Sequence, residues 1–136
     1  MNDRVLPVVV LDHVGIAAYP DGLSLAELIG GSAAPLVEMP SGVAVGRFGP
    51  GEALELVTST RDGSPLERFL ETRGPGLHHI ALRVDEPLSQ VVLRLEAAGL
   101  RIVGGIEASS DGRPSLFLHP SSTGGVLVEL VEGPRR

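Results

Sequence analysis

The chain has 136 residues and contains no cysteine and no lysine; all eleven of its basic residues are arginine. Without cysteine there can be no disulfide and no thiolate ligand for a metal. Without lysine there can be no Schiff base on a lysine side chain. Tryptophan is absent and aromatic residues make up 3% of the chain, which leaves little to build a base-stacking platform. A net charge of −6 gives no attraction to a phosphate backbone or an anionic bilayer. Nucleic acid and membrane are therefore not expected as partners. The apolar opening "VLPVVVLDHVGIAAY" contains Pro7, is broken by Asp12 and His13, and is too short to span a bilayer. No clean small-residue cleavage site of a secretory signal follows it. It reads as a buried strand, and a cytoplasmic location is the expectation.

What the chain does contain is ordinary for a globular protein: 43% hydrophobic and 21% charged residues, with length for one domain and one core. Residues 8–18 are rich in β-branched side chains and predict a strand. "SLAE", followed by Gly30-Gly31, predicts a short helix over Ser24–Ile29. "GVAVGRF" and "EALELVT" predict two strands around the turn "GPGE". "SPLERFLE" predicts a helix with Ser64 as N-cap, Pro65 at its first position and Glu67 closing a capping box. The series then restarts with the strand "LHHIALRV". A helix follows whose Leu88, Val91, Val92 and Leu95 share one stripe, then the strands "PSLFLH" and "GVLVELV".

Aligning the two halves sets "LDHVGIAA" on "LHHIALRV" and "LELV" on "VELV", which pairs His13 with His79 and Glu55 with Glu129. Each half runs strand with His, helix, strand, strand with Glu, and two matches in the same order indicate duplication of a βαββ-type unit. Successive strand residues point to opposite faces. His79, Ala81 and Arg83 therefore share one face and His78, Ile80 and Leu82 the other. In the same way His13 opposes Val14 and Ile16, Glu55 opposes Leu54 and Leu56, and Glu129 opposes Val128 and Leu130. The apolar faces are expected under helices, with His78 packing near that layer. The opposite faces would bring two histidines and two carboxylates together, a donor set suited to Zn²⁺, Co²⁺, Mn²⁺ or Fe²⁺. Spacing alone leaves open that these are four unrelated polar residues on strand faces.

The stretches "LDHVGIAA", "SPLERFLETRGPGLHHIALRV" and "GRPSLFLHPSSTGGVLVEL" resemble the vicinal oxygen chelate, or glyoxalase-like, superfamily, and within it the methylmalonyl-CoA epimerase family. The resemblance covers roughly Leu11 to Val131, and "FLHPSSTGGVLVEL" is its most specific part. It implies an α+β fold of paired βαβββ modules forming an open, cup-shaped barrel around one divalent metal ion. One domain over residues 1–136 is expected, with module one at about 8–60 and module two at about 77–132. Carried over residue by residue, the metal ligands are His13, Glu55, His79 and Glu129, with Glu129 also the candidate catalytic base. The implied activity is epimerisation of methylmalonyl-CoA or a related 2-substituted acyl-CoA, by a cytoplasmic homodimer.

This chain departs from the family in several places. The first helix is compressed to "SLAELIGG", "PSG" replaces a "PE"-containing stretch, Ser121 replaces a common lysine, and Val45 stands where some epimerases carry a catalytic carboxylate. Glu38 and Glu52 read as loop charges, Arg83 as an anion holder or an ion-pair partner, Arg113 as a rim residue with a surface role, and His119 as a structural hydrogen-bonder. Alternative functions on this scaffold are a glyoxalase-type isomerase, an Fe²⁺ dioxygenase using His13, His79 and Glu129 as a facial triad, and a non-enzymatic binding protein.

Overall fold

The computed structural model describes residues 5–6, 9–20 and 36–134. The helix expected over Ser24–Ile29 lies outside the described residues. The chain divides into two compact units, one of residues 13–78 and the other of residues 1–12 with 79–136.

The unit of residues 13–78 takes in most of β1 (Val9–Ala17), then β2 (Val37–Met39), β3 (Val43–Phe48), β4 (Leu54–Ser59) and helix α1 (Pro65–Arg73). Its strands lie in the order β2-β3-β4-β1, antiparallel except for the parallel pair β1/β4. The second unit takes in most of β5 (Gly76–Val84), then helix α2 (Leu88–Ala97), β6 (Ile102–Ala108), β7 (Pro114–Leu118) and β8 (Val128–Glu132). Its order is β6-β7-β8-β5, again with one parallel pair, β5/β8. The strand order and its single parallel pair are thus the same in both units.

Each unit carries one strand more than the residue pattern indicated. β2 has only three residues, too few to show alternation. β6 contains Gly104 and Gly105, with Gly104 at φ 68°, and its pairing with β7 shifts register between Val103 and Glu107. Glycine and a bulge erase the period-two signal that marks a strand.

In the second unit α2 packs as its stripe required. Leu88, Val91 and Leu95 are fully buried against Leu116, Val128 and Leu130, while Val92 is half-buried at the edge of this cluster. Burial of each such side chain contributes about 1.5–3 kcal/mol. This core lies on the face opposite Glu129, as alternation required.

Packing around α1 differs from the expectation that helices cover only the apolar faces. Its N-terminus forms as expected: the Ser64 hydroxyl accepts the Glu67 N–H at 3.2 Å, a cap contributing about 1 kcal/mol. The Glu67 carboxylate closes back onto the Gly63 N–H at 3.2 Å. However, Leu66 and Leu70 bury themselves against Ala17 and Val57, with Val43 and Val45 alongside. Val57 stands two residues beyond Glu55 and shares its face, so α1 covers the far end of the carboxylate face. The opposite face holds a separate cluster of Ala18, Phe48 and Leu56.

Arg113 is not a rim residue. It is 1% exposed, and its guanidinium forks onto Asp12 at 2.7 and 3.0 Å. It also donates to Asp111 at 2.8 Å and to the Gly133 carbonyl at 2.9 Å. Burial alone would lower its pKa, but hydrogen bonds to Asp12 and Asp111 outweigh that cost and raise it. The side chain ties the N-terminal strand to the β6–β7 turn and to the end of β8. Sequence reading missed it because its main partner lies 101 positions away.

Candidate metal centre

Each unit holds one histidine–carboxylate pair, built in the same way. In β1 the Val14 N–H donates to the Ala53 carbonyl at 2.9 Å, and Gly15 lies across from Glu55. In β5 the Ile80 N–H donates to the Leu127 carbonyl at 3.2 Å, and Ala81 lies across from Glu129. In both, the residue two beyond the histidine faces the glutamate and is small, which leaves the carboxylate room to turn toward the imidazole.

His13 Nε2 stands 3.5 Å from Glu55 Oε1, and His79 Nε2 stands 3.6 Å from Glu129 Oε1. All four residues are buried, at 2, 6, 5 and 7% exposure for His13, Glu55, His79 and Glu129. Carboxylates are rarely buried to this degree without a partner. The His79 ring stands edge-on to Phe117, centroids 5.6 Å apart, and Phe117 is the cross-strand neighbour of Glu129.

These separations exceed the N–H···O range of about 2.7–3.2 Å. They match the spacing of roughly 3.4 Å between two donors of a tetrahedral ion bound at about 2.1 Å. Imidazole nitrogen and carboxylate oxygen are also the donor types that Zn²⁺, Co²⁺ and Mn²⁺ accept. The residues therefore fit a divalent cation. Each pair offers one imidazole nitrogen and one carboxylate oxygen to such an ion.

Glu55 has a further partner that sequence reading did not find. Arg47 of β3 lies directly across from it, and Arg47 Nε donates to Glu55 Oε2 at 3.0 Å. Counting alternation outward from the "GPGE" turn would have placed these two side chains together.

His78 takes the role alternation assigned. Its imidazole stands edge-on to Phe69 of α1 with centroids 4.8 Å apart. Burial lowers its pKa, and the charge of Glu55 pulls the other way.

The remaining candidates are occupied elsewhere. His119 Nδ1 accepts the Ser121 N–H at 3.0 Å and caps the turn Pro120–Ser122, the structural role expected of it. In the same turn, which also bears serine and threonine, Ser122 Oγ accepts the Arg101 N–H at 2.8 Å and the Thr123 hydroxyl donates to the Val126 carbonyl, both structural bonds. Arg83 stands 3.6 Å from Asp85, the ion-pair alternative. Glu38 and Glu52 are exposed loop and edge charges. Val45, in the position that carries a carboxylate in some epimerases, packs against the Ala17, Val57, Leu66 and Leu70 cluster.

Two units of the same strand order, each with one parallel strand pair and a buried His–Glu pair, match the α+β vicinal oxygen chelate (glyoxalase-like) fold. Solved structures agree. The methylmalonyl-CoA epimerase of Mycobacterium tuberculosis superposes with a TM-score of 0.80 at 29% identity, covering 100% of this chain and 93% of that one. A variant of the Streptomyces coelicolor methylmalonyl-CoA epimerase, in complex with 2-nitronate-propionyl-CoA, matches with a TM-score of 0.76 at 27% identity, covering 90% and 96%. By sequence, the mitochondrial methylmalonyl-CoA epimerase of Dictyostelium discoideum is 35% identical over 129 residues, 90% of this chain and 77% of that protein. No protein-family model matches the chain. The chain belongs to the methylmalonyl-CoA epimerase family, and it is an isomerase. Among the described residues, no helix is long and apolar enough to cross a membrane.

Proposed function

We propose that the protein epimerises methylmalonyl-CoA or a related 2-substituted acyl-CoA, with His13, Glu55, His79 and Glu129 holding one divalent metal ion. Both modules then act as a single domain. The observation that carries this reading is the buried His–carboxylate pair repeated in both units. Relatives of the same family, one of them solved with an acyl-CoA ligand, support the substrate class. A cytoplasmic homodimer, expected from the family resemblance, belongs to the same proposal.

The substrate is a carbon acid flanked by a thioester and a carboxylate. Its α-proton is too weakly acidic for an unaided glutamate. A bound divalent ion supplies Lewis-acid stabilisation of the enolate oxygen. The chain's own residues do the rest. Glu129 accepts the α-proton at a carboxylate oxygen, the C–H electron pair enters the new C=C bond, and the thioester carbonyl pair moves onto oxygen. A proton from solvent water adds to the opposite face of the planar carbon, giving the other stereoisomer, and Glu129 releases the abstracted proton to solvent. Phe117 stands edge-on to the His79 ring, and Glu129 is buried beside it. The nitronate in the Streptomyces relative is, like an enolate, planar with charge on oxygen.

The relatives by sequence and by structure favour this reading over an Fe²⁺ dioxygenase.

The test uses metal-stripped protein reconstituted with Co²⁺, given one stereoisomer of methylmalonyl-CoA in D₂O and followed by NMR and by stereochemical analysis. Loss of the Cα proton and appearance of the opposite stereoisomer, both dependent on Co²⁺, are expected. Stoichiometric Co²⁺ binding with no exchange would reject this substrate.

A further inference from the structure

We infer that Arg47 is a positioning residue for the metal centre, cancelling the charge of Glu55 so that this carboxylate serves as a neutralised, one-oxygen donor. The inference rests on the metal-centre reading above and deepens it. Arg47 and Glu55 are direct partners in the β3/β4 register, so the ion pair is set by the backbone ladder rather than by a chance meeting of long side chains. Arg47 Nε donates to Oε2 at 3.0 Å, while Oε1 of the same carboxylate points to His13 Nε2 at 3.5 Å. One oxygen thus accepts from the guanidinium, and the other lies toward the imidazole.

Further contacts fix the arginine itself. Its Nη1 donates to the Glu52 carbonyl at 3.3 Å, and Glu52 closes the turn Pro50–Glu52 that joins β3 to β4. The hairpin turn thus anchors the cation that anchors the donor. Side-chain exposure of 14% for Arg47 and 8% for Glu55 keeps the pair largely out of water, where such charges interact strongly.

The electrical consequence is specific. Two ionised carboxylates would give the centre a charge of −2, and the adjacent guanidinium brings it to −1. A more strongly negative donor set binds a cation more tightly but leaves it a poorer Lewis acid. Arg47 therefore sets the balance between holding the ion and activating the substrate oxygen.

A double-mutant cycle separates this role from simple support of the fold. The measurements are Co²⁺ dissociation constants by competition titration, with folding of each variant checked by circular dichroism. Glu55→Gln, which leaves Arg47⁺ uncompensated beside the ion, should weaken Co²⁺ binding by about 10- to 100-fold, the range seen when the support of a ligand is lost. Arg47→Met should bind Co²⁺ at least as tightly as the parent yet turn over more slowly. The double variant R47M/E55Q should return to within about threefold of the parent affinity, as expected when two changes compensate. If R47M does not fold, Arg47→Lys supplies the test, because retained charge should retain the parent affinity within the same limit.

Affinity losses that add in the double variant, or a weakened R47M or R47K, would overturn the inference. A parent protein that binds no Co²⁺ at all would overturn the metal-centre reading instead, so the two failures are distinct.

Discussion

A His79→Ala variant is expected to stay folded, lose its metal and lose deuterium exchange at the substrate α-carbon. Removing a ligand should cost more than the 10- to 100-fold loss in affinity typical of residues that merely support one, so a drop beyond about 100-fold is expected. The neighbouring His78→Ala variant is the matched control. His78 packs against Phe69 of α1, on the opposite side of β5 from His79. Its loss should lower stability by about 0.5–3 kcal/mol, the ordinary range for a buried contact, and leave one Co²⁺ bound per chain. Paired metal titrations and thermal melts of the two variants read both effects. Equal loss of metal from both would mean that β5 does not sort the adjacent histidines into separate roles.

Arg113→Met is expected to give the largest loss of stability. The substitution keeps apolar bulk but leaves Asp12, which is 5% exposed, without the fork that accepts its charge. Removing one partner of a buried ion pair costs about 3–5 kcal/mol. For a chain of 136 residues this corresponds to a fall in Tm of about 10–17 °C. Arg113→Lys should recover only part of it, because an ammonium group cannot reproduce the two-pronged contact with Asp12 or reach Asp111 and Gly133 together. Asp12 immediately precedes His13, so the same variant should also bind Co²⁺ more weakly. Thermal unfolding followed by circular dichroism gives the stability comparison. A melting temperature within a few degrees of the parent would show that the buried fork contributes little.

Which way each histidine and glutamate faces was legible in the sequence because strand alternation is a local rule. Four residues of sequence suffice to decide that His79 and His78 face apart, and repetition of the same order of elements ties His13 to His79 and Glu55 to Glu129. The α2 stripe was legible for the same reason, since helical spacing places Leu88, Val91 and Leu95 on one side regardless of what they meet. What was not legible depends on contacts distant in sequence or on signals that glycine removes. Arg113 looks like any surface arginine until Asp12, 101 positions earlier, is brought beside it. β6 hides behind Gly104, Gly105 and a register shift. Arg47 becomes a partner of Glu55 only once the β3/β4 register is fixed. The sequence also gave no sign that α1 would cover the far end of the Glu55 face, since its own apolar spacing names Leu66 and Leu70 but not their partners Ala17 and Val57.

The measurement that bears most directly on the two repeated pairs serving one centre is the metal content of the whole protein. Stripped protein is dialysed to equilibrium against Co²⁺ and the bound metal counted per chain. One ion per chain is the expected result, because His13, Glu55, His79 and Glu129 would then share it. Two ions per chain would mean that each pair works alone, and none would mean that the buried pairs are held together without a metal; either result would contradict the proposed centre.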